Sequence, residues 1–197
     1  MEETIMSKKI SQKKIQLLLK KQRLFFATGT TKDIAFRRAM LKDLYNAIKK
    51  NEEFIADALK QDLGKPYFEA YGTEIGYTLE EIRLHRKKVT SWARKKSVSS
   101  PVTILPAKSF ILPEPYGVSL IMAPWNYPFQ LLMAPLIGSM SAGNCAILKP
   151  SEISSNTEKI ITKIIKDTFP EEYIAVVTGG KETNQALLSE RFDYIFF

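Results

Sequence analysis

Cysteine and histidine occur once each in the 197 residues, as Cys145 and His85. A single cysteine excludes an internal disulfide framework and fits a reducing compartment, so a cytoplasmic location is expected. With one histidine beside it, a zinc site of the Cys/His type cannot be built, and no metal is expected. The chain also lacks a GxGxxG turn, the usual dinucleotide fingerprint. Near its start there is no secretory signal pattern, because Lys8, Lys9, Lys13, Lys14, Lys20 and Lys21 interrupt every apolar run. Internal repeats and low-complexity tracts are missing too.

What is present is the composition of a soluble globular protein, 45% hydrophobic and 25% charged. The net charge of +8 is uneven. Residues 1–100 hold 22 Lys/Arg against 12 Asp/Glu, whereas residues 101–197 hold 7 against 9. The basic residues are interleaved with acids on helix-periodic segments and no nucleic-acid motif accompanies them, so they read as solvated helix faces. No nucleic-acid partner is expected. Residues 118–148 contain no charge and are long enough to span a bilayer. Their Pro124, Pro128, Pro135, Gly138, Gly143, Asn126, Gln130 and Asn144 would leave backbone groups unpaired in lipid, which points to a buried strand, turn and helix instead.

Two halves follow from periodicity. Residues 1–98 read as helical: an amphipathic segment from Ile10 to Phe26, a second helix capped by Thr31, and a third capped by Asn51 that ends at Leu63-Gly64. A long fourth helix carries Phe68, Ile75, Ile82 and Val89 at intervals of seven. Residues 99–116, punctuated by prolines, suggest a hairpin of the runs Val102–Leu105 and Ser109–Leu112. Residues 117–197 alternate strands and helices: Val118–Met122, Cys145–Leu148, Tyr173–Val177 and a fourth strand at Asp193–Phe197. A capping box, Ser155-x-x-Glu158, opens the helix after the second strand. The expected fold is α/β, a helical segment leading into a Rossmann-like parallel sheet that is incomplete, with a hairpin between them.

In open α/β sheets ligands bind beyond the carboxyl ends of the strands. Those ends read Ala123-Pro124-Trp125-Asn126-Tyr127-Pro128, Lys149-Pro150-Ser151-Glu152 and Thr178-Gly179-Gly180. Asn126 is pinned between two prolines; its amide either stabilises an oxyanion or caps the next helix. Lys149 and Glu152 suit vicinal ribose hydroxyls, or else form a surface ion pair. Gly179 and Gly180 permit close approach of a nucleotide, or simply a tight turn. Cys145, inside an apolar run with no adjacent base, reads as a buried hydrophobe. His85 reads as a surface or packing residue.

The runs PYGVSLIMAPWNYPFQLLMAPLIGSMSAGNCAILKPSE and EEYIAVVTGGKETNQALLSERFDYIFF resemble the aldehyde dehydrogenase superfamily. QRLFFATGTTKDIAFR, ALKQDLGKPYFEAYGTEIG and LPEPYGV resemble its class 3 branch of fatty and aromatic aldehyde dehydrogenases, so the similarity covers about residues 10–197. The resemblance implies oxidation of aldehydes to carboxylic acids through a thiohemiacetal, with NAD or NADP as acceptor. On it, Asn126 falls to the oxyanion hole and Lys149 with Glu152 to the adenosine ribose. Ala123, Pro124 and Trp125 fall to the strand end approaching the nicotinamide, and Gly179 and Gly180 to a loop near the adenine. This family binds its dinucleotide without GxGxxG. A carboxylate at Glu152 weakly favours NAD.

The same resemblance puts the pyrophosphate turn, the general-base glutamate, the catalytic cysteine and the strand used in oligomerisation beyond Phe197. Residues 99–116 would belong to the bridging domain that pairs with that strand. A homodimer is expected of full-length members rather than of these residues alone. The 197 residues are therefore expected to be inactive by themselves, the alternative being a non-catalytic nucleotide-binding or assembly module.

Overall fold

The computed structural model describes residues 12–197. Four parallel strands form the main sheet: β3 (Val118–Met122), β4 (Cys145–Lys149), β5 (Ile174–Val176) and β6 (Tyr194–Phe196), in the order β5-β4-β3-β6. Leu120 lies opposite Ile147 on one side and Ile195 on the other. Every residue of β3 and β4 is buried, the mark of central parallel strands covered on both faces. Helices α1 (Gln12–Ala27) and α6 (Gln130–Ala142) both pack on these two strands. α7 (Ser155–Thr168) and α8 (Lys181–Leu188) complete the connections to β5 and β6. The charge-free stretch 118–148 is thus β3, a turn, α6 and most of β4. No helix among the described residues is long and apolar enough to cross a membrane.

The helical half comprises α1, α2 (Ile34–Lys50), α3 (Glu52–Leu63), the short α4 (Tyr67–Ala70) and α5 (Gly76–Trp92). The start of the first expected helix, at Ile10, lies outside the described residues. α3 ends on Gly64 at φ 70°, a left-handed cap that glycine adopts without strain.

Three caps differ from expectation. Asp33, not Thr31, caps α2, its carboxylate accepting from the Ala35 N–H at 2.9 Å. Asn51 turns its amide back to donate to the Ala47 carbonyl, closing α2 rather than opening α3. The Ser155 hydroxyl does not cap α7, which begins one residue after Ser154. Asp62 reaches over from α3 instead. Its two oxygens accept from the backbone N–H groups of Asn156 and Thr157 and from both their side chains, at 2.7–3.1 Å. A carboxylate suits a helix N-terminus better than a hydroxyl does, and one 94 residues away is invisible to local pattern.

The long fourth helix is interrupted. Residues Tyr71–Ile75 form a π turn between α4 and α5. Its wider ring shifts the helical phase, so the seven-residue spacing fails at one end: Ile75, Ile82 and Val89 are buried, while Phe68 is 88% exposed. The hairpin also differs. Its first strand is β1 (Lys96–Val98), paired antiparallel with β2 (Ser109–Ile111), and Val102–Ile104 is a 3₁₀ turn at the tip. Both faces of β1 are exposed, so no alternation marks it in the sequence. His85 is a packing residue, with Nδ1 2.7 Å from Ser141 Oγ and Nε2 3.1 Å from Glu81.

Candidate functional site

The carboxyl ends of β3 and β4 stay paired one residue past the strands, Ala123 N–H donating to the Lys149 carbonyl at 3.2 Å. Beyond that point the two chains diverge, and a cavity of about 280 Å³ opens between them. Ala123, Pro124, Lys149 and Glu152 line it, together with Ser151 and Asn184. Four of the residues expected on this rim are therefore brought together. Trp125 is not among them; its ring is half exposed on the adjoining turn. A larger groove of about 540 Å³ follows the outer edge of β5, but it holds none of the rim residues.

Lys149 is 2% exposed, a charge held at the cavity's floor by the strand that carries it. Its ammonium donates to the Pro150 carbonyl at 2.5 Å and to Glu152 Oε2 at 3.0 Å. An ammonium has three donors, so one remains for a ligand. Burial alone would raise the Glu152 pKa. Its own backbone N–H and the Lys149 ammonium outweigh that together and hold the carboxyl below its ordinary value. Glu152 thus stands ionised, with Oε1 unengaged by any described side chain. A Cβ on Gly180 would lie 3.7 Å from that oxygen, which keeps the approach open. Gly179 precedes Gly180 on the same loop. At φ 138° it lies against Thr183, whose Oγ1 would be 2.2 Å from an added Cβ.

Asn184 was not foreseen. Its Oδ1 is buried without a partner, and its only sequence signal is a polar residue on an otherwise ordinary helix. The cavity's ammonium and carboxylate by themselves fit a polyhydroxylated ligand such as a ribose.

Asn126 lies outside the cavity on the exposed turn that follows β3. Its Oδ1 accepts the Tyr127 N–H at 3.1 Å, and its Nδ2 donates to nothing among the described residues. The capping alternative fails, because Glu74 takes the N–H groups of Phe129 and Gln130 at the start of α6, at 2.9 and 3.1 Å. Glu74 in turn pairs with Lys65 at 2.5 Å, and Lys65 Nζ lies 3.4 Å from the Asn126 carbonyl and 3.8 Å from the Tyr127 ring centroid. Neither residue was singled out in the sequence, where Glu74 looks like an ordinary charge on a helical segment and Lys65 like one in the Gly64–Pro66 link.

Cys145 is fully buried in β4, and burial pushes its thiol up to about 12. It is the neutral, inert form at ordinary pH. Iodoacetamide at pH 8 is expected to leave Cys145 unmodified in the folded chain and to alkylate it after unfolding in urea, as read by mass spectrometry. Rapid alkylation of the native chain would contradict the buried assignment.

Residues 2–197 match the sequence profile of the aldehyde dehydrogenase family. The chain belongs to that family. It is 51% identical over 173 residues to the 4,4'-diaponeurosporen-aldehyde dehydrogenase of Staphylococcus aureus, covering 88% of this chain and 38% of that protein. Against aldehyde dehydrogenase family 3 member B1 of Bos taurus the identity is 41%, covering 91% and 38%. The chain thus spans well under half the length of these relatives, matching their N-terminal part. Among solved structures, the substrate-bound state of Staphylococcus aureus AldH superposes with a TM-score of 0.91 at 49% identity, covering 93% of this chain and 40% of that one. A succinic semialdehyde dehydrogenase from Streptococcus pyogenes, solved with NADP⁺, shares the fold at a TM-score of 0.82 and 16% identity, covering 98% and 42%. Aldehyde dehydrogenases use NAD or NADP.

Proposed function

We propose that these residues supply two parts of an NAD(P)-dependent aldehyde oxidation, the hold on the adenosine ribose and a donor to the oxyanion. The observation that carries the reading is the Lys149–Glu152 pair at the cavity floor. Its spare ammonium N–H donates to one ribose hydroxyl, and the free carboxylate oxygen accepts from its neighbour. The chemistry a bound nicotinamide dinucleotide supplies is acceptance of the hydride that leaves the aldehyde carbon. Asn126, with its N–H₂ unengaged on a turn pinned by Pro124 and Pro128, donates to the aldehyde oxygen as it gains negative charge. Cys145 is excluded as nucleophile by its burial and raised pKa. A thiolate for the thiohemiacetal route therefore comes from outside residues 1–197, and the chain alone binds cofactor without turnover.

The Glu152 carboxylate repels a 2′-phosphate, so we read the site as favouring NAD over NADP. Titration of both dinucleotides against the parent chain and Glu152→Gln tests this. NAD affinity is expected to fall by about tenfold, the value of one charge-assisted hydrogen bond, and the gap between NAD and NADP to narrow. Equal NAD affinity in parent and variant would count against the ribose assignment. The hairpin of β1 and β2, with Phe110, Ile111 and Leu112 about half exposed, suits pairing with a strand of another subunit. A homodimer of the full-length protein in the cytoplasm is the corresponding assembly.

A further inference from the structure

We propose that Glu74 and Lys65 are positioning residues for the oxyanion amide, a device that rests on the reading of Asn126 given above. The two side chains form a buried ion pair, Glu74 wholly enclosed and Lys65 only 7% exposed. A buried ion pair is weak evidence of stabilisation, because removing two charges from water offsets most of their attraction. Its geometry here points elsewhere. Glu74 presents one oxygen to Lys65 at 2.5 Å and the other to the N–H groups of Phe129 and Gln130 at 2.9 and 3.1 Å. Lys65, so anchored, faces the carbonyl of Asn126 at 3.4 Å and stands 3.8 Å from the centre of the Tyr127 ring. The pair therefore grips the turn at both ends: at the residue that carries the amide, and at the start of α6 just after Pro128. Between those grips, the Tyr127 N–H holds Asn126 Oδ1 and leaves the N–H₂ as the group presented.

The backbone around Glu74 supports the same assignment. Glu74 sits within the π turn Tyr71–Ile75, the one break in an otherwise regular helical run. π turns cost hydrogen-bond geometry and occur frequently at functional sites. This one places Glu74 and Ile75, adjacent in sequence, in the interior together. On Lys65's side, Gly64 ends α3 in the left-handed region and turns the chain so that the next residue points inward. Two irregular backbone segments thus converge on one turn, and that turn carries the amide.

The test needs an active enzyme, made by joining residues 1–197 to the remaining C-terminal part of the Staphylococcus aureus relative. Glu74→Gln keeps an acceptor for the α6 N–H groups but turns an N–H₂ toward Lys65. Because a lone buried charge can prevent folding, the neutral double variant Lys65→Met/Glu74→Gln accompanies it. Each is expected to lower kcat by up to ~10²-fold, the scale of an ångström of misplacement, with the KM for NAD unchanged. Repeated in an Asn126→Ala background, the same changes are expected to cost less than about twofold, since residues acting through one group are not additive. Losses of equal size in both backgrounds, or an unchanged kcat with a lowered melting temperature, would overturn the proposal and leave a purely structural ion pair. A readout independent of turnover is the ¹⁵N relaxation of the Asn126 side-chain amide in the 197-residue chain. It is expected to report an ordered amide in the parent and a mobile one in the double variant; equal order in both overturns the positioning role. Full kcat in Asn126→Ala would instead sink the oxyanion reading itself, and the amide relaxation then decides the positioning claim on its own.

Discussion

Replacing Asn126 with alanine is expected to lower kcat by about 10²–10³-fold, corresponding to roughly 2.7–4 kcal/mol of barrier. The variant is read in the same joined enzyme by steady-state kinetics with a saturating aldehyde. The direction follows from where the charge is. An aldehyde oxygen in the ground state is neutral and gains little from one more donor, whereas the tetrahedral oxygen is anionic and gains much. The loss should therefore fall on kcat with little change in KM. Rigidity is what makes the donor effective. The amide sits between Pro124 and Pro128, and its own oxygen is engaged by the Tyr127 N–H, so its N–H groups need no reorganisation as charge develops. A variant that raised KM while keeping kcat would show that Asn126 binds substrate rather than the developing charge.

The largest expected effect on stability is at Asp62. Its carboxylate serves four donors at the start of α7, two of them backbone N–H groups that have no other partner in the first turn of a helix. Asp62→Ala is expected to cost about 2–3 kcal/mol, above an ordinary cap because the acceptor is charged. For a domain of this size that corresponds to roughly 4–12 °C in Tm. Asp62→Asn should fall between, since its amide keeps one acceptor oxygen and turns an N–H₂ toward donors. Calorimetry or thermal circular dichroism checks both, and an alanine variant melting within a degree of the parent would remove Asp62 from the account.

Legibility tracked the range of the interaction. β3 and β4 were plain in the sequence because buried parallel strands read as unbroken apolar runs, and the rim beyond them followed from topology alone. Ala123, Pro124, Lys149 and Glu152 do share one cavity. What the sequence concealed was carried by single side chains acting across the molecule. Asp62 capping α7 and Glu74 holding the start of α6 look like any surface acid on an amphipathic helix. Asn184 carries no pattern at all. The π turn escaped for a related reason: the apolar spacing through Ile75, Ile82 and Val89 is regular, and only Phe68, thrown outward, betrays the extra residue. β1 escaped because an exposed two-stranded ribbon imposes no burial on either face.

The polar side chains of the helical half have a consequence for synthesis. Gln22 donates to the carbonyls of Ala146 and Glu171, Arg37 to that of Ser141, Glu74 accepts from Phe129 and Gln130, and Asp62 accepts from Asn156 and Thr157. None of these partners exists when the first hundred residues leave the ribosome. The early segment emerges with its helices ready to form, but Gln22 and Asp62 find none of these partners within it, and Arg37 and Glu74 find only part of theirs, from Thr31, Lys32 and Lys65. Closure of these contacts waits for residues 129–171, so the early segment stays receptive to chaperones until they have emerged.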